Sequence, residues 1–185
     1  MTDTNLDHGS FTPPGTLRFE RLLPGPIEKV WAYLVEPDLR AQWLAAGKMD
    51  LKPGGEAELI FRNGNLTGPD DRPPAKYAKE GNSEIHSKAE IVEAIPPRLL
   101  RFKWEEGNDD WSDVTFSLEE EGDRVRLVLI HTDLNKTESQ AGVLAGWHAH
   151  LNMLRSVLTG EAELPFWATL ERLEAEYSTR YGLPI

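Results

Sequence analysis

The chain has 185 residues, a formal net charge of −11 and no cysteine. That length suits a single domain with its own core, and the lack of thiols excludes disulfides, thiolate catalysis and zinc–thiolate centres. A surface this acidic repels phosphate backbones and anionic headgroups, which argues against nucleic-acid binding, and no stretch is apolar for long enough to insert across a membrane.

Residues 1–15, MTDTNLDHGSFTPPG, are polar and carry no basic run followed by an apolar one. They read as a flexible tail rather than a secretory signal, with a cytoplasmic setting as the default. Over residues 16–23, Leu17 and Phe19 alternate with Arg18 and Glu20, the pattern of a half-buried strand. Pro24-Gly25-Pro26 ends it, and Pro26 suits the first turn of a helix, where a missing N–H is no loss. Ile27, Val30, Trp31 and Leu34 then fall on one helical face at i, i+3, i+4 and i+7. Pro37 opens a second short helix ending near Trp43-Leu44. Residues 49–51 and 56–61 flank Pro53-Gly54-Gly55 and predict a hairpin. Residues 63–82 are rich in Gly, Pro, Asn and Asp, a loop long enough to suggest a lid or mobile segment.

Strand character resumes at 85–95. After Pro96-Pro97, Leu100, Phe102 and Trp104 share a face of the next strand. Val114, Phe116 and Leu118 do so in the one after, and Val125, Leu127, Leu129 and His131 in the last, with Glu121-Gly122-Asp123 as the turn between. Short turns without intervening helices predict an antiparallel meander. From 138 to 158 the period becomes helical. Leu144, Trp147, Leu151, Leu154 and Leu158 form a stripe on a helix roughly 30 Å long at ~1.5 Å per residue. Gly160 suits its C-terminal cap. Pro165 opens a last helix lined by Phe166, Leu170, Leu173 and Tyr177.

The order strand, helix, short helix, antiparallel strands, long helix resembles the helix-grip superfamily of START-like and Bet v-like proteins, often called SRPBCC. Three segments carry the resemblance: Pro26 to Trp31 followed by Trp43, the Pro53-Gly54-Gly55 hairpin, and Leu129-Ile130-His131 followed by Gly146-Trp147, Leu151 and Leu154. Together they look like the branch named after the activator of heat-shock protein 90 ATPase, over residues 16–159. The resemblance implies an α+β fold in which a curved antiparallel sheet of about seven strands wraps a long C-terminal helix. On this reading residues 1–15 are a tail, 16–160 the helix-grip domain, and 161–185 a helical extension packed on the same domain. It also implies a hollow between sheet and helix, which relatives use for lipids, hormones or polyketides. The namesake's cochaperone role belongs to a larger protein and depends partly on a separate domain, so fold alone does not carry it over.

The expected ligand-binding set is Phe61, Trp104, Phe116, Leu129, His131, Trp147 and Leu151. Ordinary core packing accounts for some of these, but large rings on a curved sheet also wall cavities. Parity puts His131 on the core face, either as a satisfied structural histidine or as a polar anchor on a cavity wall. A general-base role needs a matched pKa and a substrate within about 3 Å, which the sequence does not supply. His148 and His150 lie two apart, about 200° around a helix, and so flank the stripe on opposite sides rather than sharing a metal. Arg155 is expected either to pair with a sheet carboxylate or to reach a ligand's acidic group, with the pairing preferred. Asp109, Asp110 and Asp113 read as an acidic, solvated turn. No metal or cofactor is expected. The last helix covers either its own domain or a second protomer, leaving monomer or homodimer open, with its own flank preferred.

Three functions follow. The first is a protein that binds a small apolar or amphipathic molecule beneath the 63–82 loop. The second is an enzyme of the cyclase or dehydratase sort using a pocket histidine or acid. The third is an interaction module in the manner of the chaperone activator.

Overall fold

Apolar residues at every second position generate seven strands. The computed structural model describes residues 7–107, 110–134, 139–162 and 165–185. The strands are β1 (Ser10–Thr12), β2 (Thr16–Pro24), β3 (Glu56–Phe61), β4 (Ile85–Ile95), β5 (Leu99–Gly107), β6 (Asp110–Glu121) and β7 (Arg124–Thr132). They form one curved sheet in the order β1-β2-β7-β6-β5-β4-β3, every pair antiparallel. Helices α1 (Ile27–Val35) and α2 (Pro37–Arg40) follow β2, α3 (Ala78–Asn82) precedes β4, and α4 (Gln140–Thr159) and α5 (Phe166–Tyr181) close the chain.

The α+β helix-grip architecture expected from the sequence is present, though the seventh strand is a different one. Met49 joins Ala57 only through an isolated bridge, and β1 takes the outer place beside β2. Part of the expected tail is therefore ordered strand. Ser-Phe-Thr is too short for alternation to reveal, and its pairing with residues 16–18 is visible only in the register. Residues 1–6 lie outside the described residues, as do Glu138, the expected helix start, and Asp109.

Helix α4 starts at Ser139, whose hydroxyl accepts from the Gly142 amide at 3.0 Å, a side-chain N-cap. It ends at Gly160, whose φ of 74° is left-handed, a conformation glycine adopts without strain. Leu144, Trp147, Leu151 and Leu154 on this helix are buried against the sheet's inner residues Leu17, Phe19, Phe116, Leu127 and Leu129. The other side of α4 is covered by α5, through Phe166, Trp167, Leu170, Leu173 and Tyr177. The last helix thus covers its own domain.

Asp71 of the 63–82 segment accepts from the Trp167 and Ala168 amides at 2.7 and 3.0 Å, and Thr67 from the Phe166 amide at 3.2 Å. These bonds cap α5, whose own N-cap is a proline. Buried Glu174 accepts from Tyr77 Oη at 2.8 Å and pairs with Lys76 Nζ at 2.6 Å. The segment expected as a lid is therefore fastened to α5. Among the described residues no helix is long and apolar enough to cross a membrane.

Candidate functional site

Three aromatic rings from three strands form a row across the inner face of the sheet. Phe61 of β3 and Trp104 of β5 stack with centroids 5.6 Å apart and an 8° tilt. Trp104 stacks on His131 of β7 at 5.8 Å and 9°. The strand between contributes only Ser112 at this level, because Ser112 stands opposite Trp104 in the β5–β6 register. That small side chain lets two rings meet across an intervening strand. Trp147 of α4 meets Trp104 and His131 edge-on, at 78° and 83°. Stacked and edge-to-face pairs of this kind each contribute about 0.5–1.5 kcal/mol beyond simple burial.

A cavity of about 150 Å³ lies between this row and α4. Phe61, Trp104, His131 and Trp147 line it together with Val143, Gly146, His150 and Leu44. Val143, Gly146, Trp147 and His150 are spaced i, i+3, i+4 and i+7, one face of the helix. A Cβ placed on Gly146 would meet nothing within 4 Å, so the helix opens space here that any larger residue would occupy. Leu44 is held in place by Arg40, a buried cation that donates to the carbonyls of Val35 and Ala45 at 2.9 and 3.0 Å and also to that of Gly47. The same segment presents the Trp43 carbonyl to His150.

The hydrogen bonds assign the tautomer of His131. An indole N–H only donates, and Trp147 Nε1 lies 3.0 Å from His131 Nδ1. Nδ1 therefore carries the lone pair, and Nε2–H donates to Ser112 Oγ at 2.7 Å. Both ring nitrogens are engaged by protein groups, which leaves neither as a base for a substrate. Trp104 Nε1 donates to Ser87 Oγ at 2.6 Å.

Four of the seven expected site residues, Phe61, Trp104, His131 and Trp147, come together on the cavity wall. The other three do not. Phe116 packs behind Trp147 at 5.7 Å, Leu129 lies opposite Phe116, two positions along β7 from His131, and Leu151 lies one turn further along α4; all three are buried in the core. Parity fixes which face a residue takes, but not how far along the strand the cavity extends. Leu44, Val143, Gly146 and His150 were not anticipated. For the three on α4 the helical spacing was the available signal, whereas Leu44 had none.

His148 and His150 point to opposite sides of α4, as their spacing requires. His148 Nδ1 lies 2.8 Å from Tyr177 Oη, while His150 Nδ1 meets the Trp43 carbonyl at 2.7 Å. Burial pushes both pKa values down, to about 3 for His148, where the Arg21 charge adds to the effect, and to about 4 for His150. Among the described residues no group of His, Cys, Asp or Glu could hold a metal. Arg155 pairs with Asp7 of the N-terminal segment at 3.2 Å rather than with a sheet carboxylate, and Asp113 accepts from Arg101 Nε and Nη2 in a bidentate bridge, each bond 2.9 Å.

Arg21 occupies a core-facing position of β2 in the series Leu17, Phe19, Arg21, Leu23, and is 3 % exposed. Burial lowers its pKa to about 10, which leaves it charged at neutral pH. Its Nη1 donates to the Glu20 carbonyl, and its Nε lies 3.8 Å from the Asp7 carboxylate. The alternation placed it inward, but its charge concealed this.

A wider groove of about 1020 Å³ runs along the β3–β4 edge of the sheet. Lys48, Lys52 and Lys88 line it together with Asp50, Glu56, Glu58 and Glu90, so both signs of charge are present.

A family model described as "Activator of Hsp90 ATPase homolog 1-like protein" matches residues 24–159. The solution structure of the protein encoded by gene BPP1335 of Bordetella parapertussis is 43 % identical, with a TM-score of 0.78, covering 94 % of this chain and 90 % of that one. CalU16 from Micromonospora echinospora, at 20 % identity and TM-score 0.64 over 93 % of each chain, shares the fold. So does EF2215 from Enterococcus faecalis, a conserved protein of unknown function, at 20 % identity and TM-score 0.68 over 94 % of this chain and 90 % of that one. No curated protein matches.

Proposed function

The chain belongs to the family of activator of Hsp90 ATPase homolog 1-like proteins, and from that footing we propose that it binds a small apolar or amphipathic molecule between the sheet and α4. The observation that carries this reading is the cavity of about 150 Å³ walled by Phe61, Trp104 and Trp147. A volume of about 150 Å³ has room for one benzene-sized ring, and ligand sites are typically apolar with a few placed polar groups. The ligand is accordingly a single ring or a short chain rather than a steroid or a long lipid.

The enzyme reading requires a titratable group free to move a proton. His131 has both nitrogens engaged, and burial lowers the His150 pKa to about 4, which makes it a weak base at neutral pH, so the geometry favours binding over catalysis. No particular surface favours the chaperone-partner reading.

The test is saturation-transfer NMR with toluene, indole and 1-hexanol on the wild-type protein and on Gly146→Leu. Transfer to the wild type that disappears in the folded variant supports the reading. Transfer that is absent from the wild type, or equal in both proteins, overturns it.

A further inference from the structure

The polar atoms on the cavity wall are nearly all committed to protein partners. The indole N–H groups of Trp104 and Trp147 donate to Ser87 and His131, and His131 Nε2–H donates to Ser112. His150 differs from these. Its Nδ1 lies 2.7 Å from the Trp43 carbonyl, which only accepts, so the proton sits on Nδ1 and the lone pair on Nε2. Among the described residues no hydrogen bond reaches that second nitrogen. The ring is clamped between Phe166, 4.9 Å away, and Phe61, 6.4 Å away. Burial keeps it neutral, with a pKa near 4.

We propose that the cavity selects a neutral, single-ring molecule carrying a hydroxyl or N–H donor, with His150 Nε2 as the acceptor. This deepens the binding reading above and rests on it. A ligand that only accepts, such as a ketone or ester, meets no uncommitted N–H on the wall. A carboxylate meets no cation there, since neither lysine nor arginine lines the cavity. A ring with no polar group leaves the His150 lone pair desolvated and unmatched. A phenol or an indole satisfies the lone pair while its ring fills the apolar space. One such bond corresponds to about a tenfold gain in affinity.

Calorimetric titration of the wild type with phenol, toluene and benzoate tests the selection. In parallel, the ¹⁵N signal of His150 Nε2 is followed during the phenol titration, a readout that needs no variant. The expected result is phenol binding about tenfold tighter than toluene, no benzoate binding, and a phenol-dependent shift of Nε2 away from its unprotonated position. His150→Phe, which keeps an apolar ring, should bind toluene and phenol alike. Equal affinities in the wild type, tight benzoate binding, or an Nε2 signal that phenol leaves unmoved would each overturn the selection while leaving the cavity as a binding site. Failure of both phenol and toluene to bind overturns the cavity reading itself, and this inference with it.

Discussion

Trp147 Nε1 and His131 Nδ1 stand 3.0 Å apart, joining the long helix to the last strand by a bond that only the indole can donate. It is a buried contact, and it sets the proton on the far side of the imidazole.

Replacing Trp147 with Phe keeps a ring but removes the donor. His131 Nδ1 is then a buried acceptor with no indole opposite, which costs about 1–3 kcal/mol, in addition to the lost indole volume. Urea denaturation of the variant should show a loss in that range or above it. A loss well under 1 kcal/mol would mean the bond contributes little.

Gly146 faces open space, so filling it tests the cavity without a clash. Gly146→Ala should stabilise the fold by up to about 1 kcal/mol, since glycine is a poor helix residue, and should narrow the cavity. Gly146→Leu should abolish binding of the small aromatic probes while remaining folded by circular dichroism. Thermal melts and the NMR assay together check both outcomes. A melting temperature that falls sharply for Gly146→Ala would show that the space is not open.

The two buried histidines of α4 make stability depend on pH. Unfolded, each takes up a proton near pH 6.5; folded, they do so only near pH 3 for His148 and pH 4 for His150. In the window between, the unfolded state binds more protons. Their contribution to stability is therefore whole above about pH 6.5 and is lost as pH falls toward 4 for His150 and toward 3 for His148, with a limiting slope of about 1.4 kcal/mol per pH unit for each histidine. His148 is packed against Tyr177, Phe19 and His8, with Arg21 nearby. His148→Phe should flatten the decline between pH 6.5 and 5, a range in which few carboxylates titrate. Urea midpoints across that range measure it, and an unchanged slope would assign the dependence to other groups.

Glu174 fastens the 63–82 segment to α5 through Tyr77 and Lys76. Glu174→Ala should cost about 1–3 kcal/mol and expose Lys76 and Lys79 to faster tryptic cleavage. Because no residue of that segment lines the cavity, aromatic probes should bind as before. Binding lost together with protease resistance would restore the segment to the role of a lid. Asp71→Ala, which removes the cap of α5, should cost about 0.5–2 kcal/mol with the same unchanged binding.

The sequence by itself determined the elements and their inward faces. Alternation in Val125, Leu127, Leu129 and His131 and the helical stripe from Leu144 to Leu158 follow from backbone periods of 2 and 3.6, which are local properties of the chain. Those periods also placed Phe61, Trp104, His131 and Trp147 on the inner side, and they held His148 and His150 apart. Only the tertiary structure decided which inner residues meet empty space. That depends on strand register, on Ser112 standing between Trp104 and His131 so that their rings stack, and on the helix presenting Gly146 rather than a large side chain at that level. It also decided that the long loop caps α5 and that a polar segment near the N-terminus supplies an edge strand. Such pairings join residues far apart in the chain, and their free energy comes from packing and matched hydrogen bonds that no local pattern encodes.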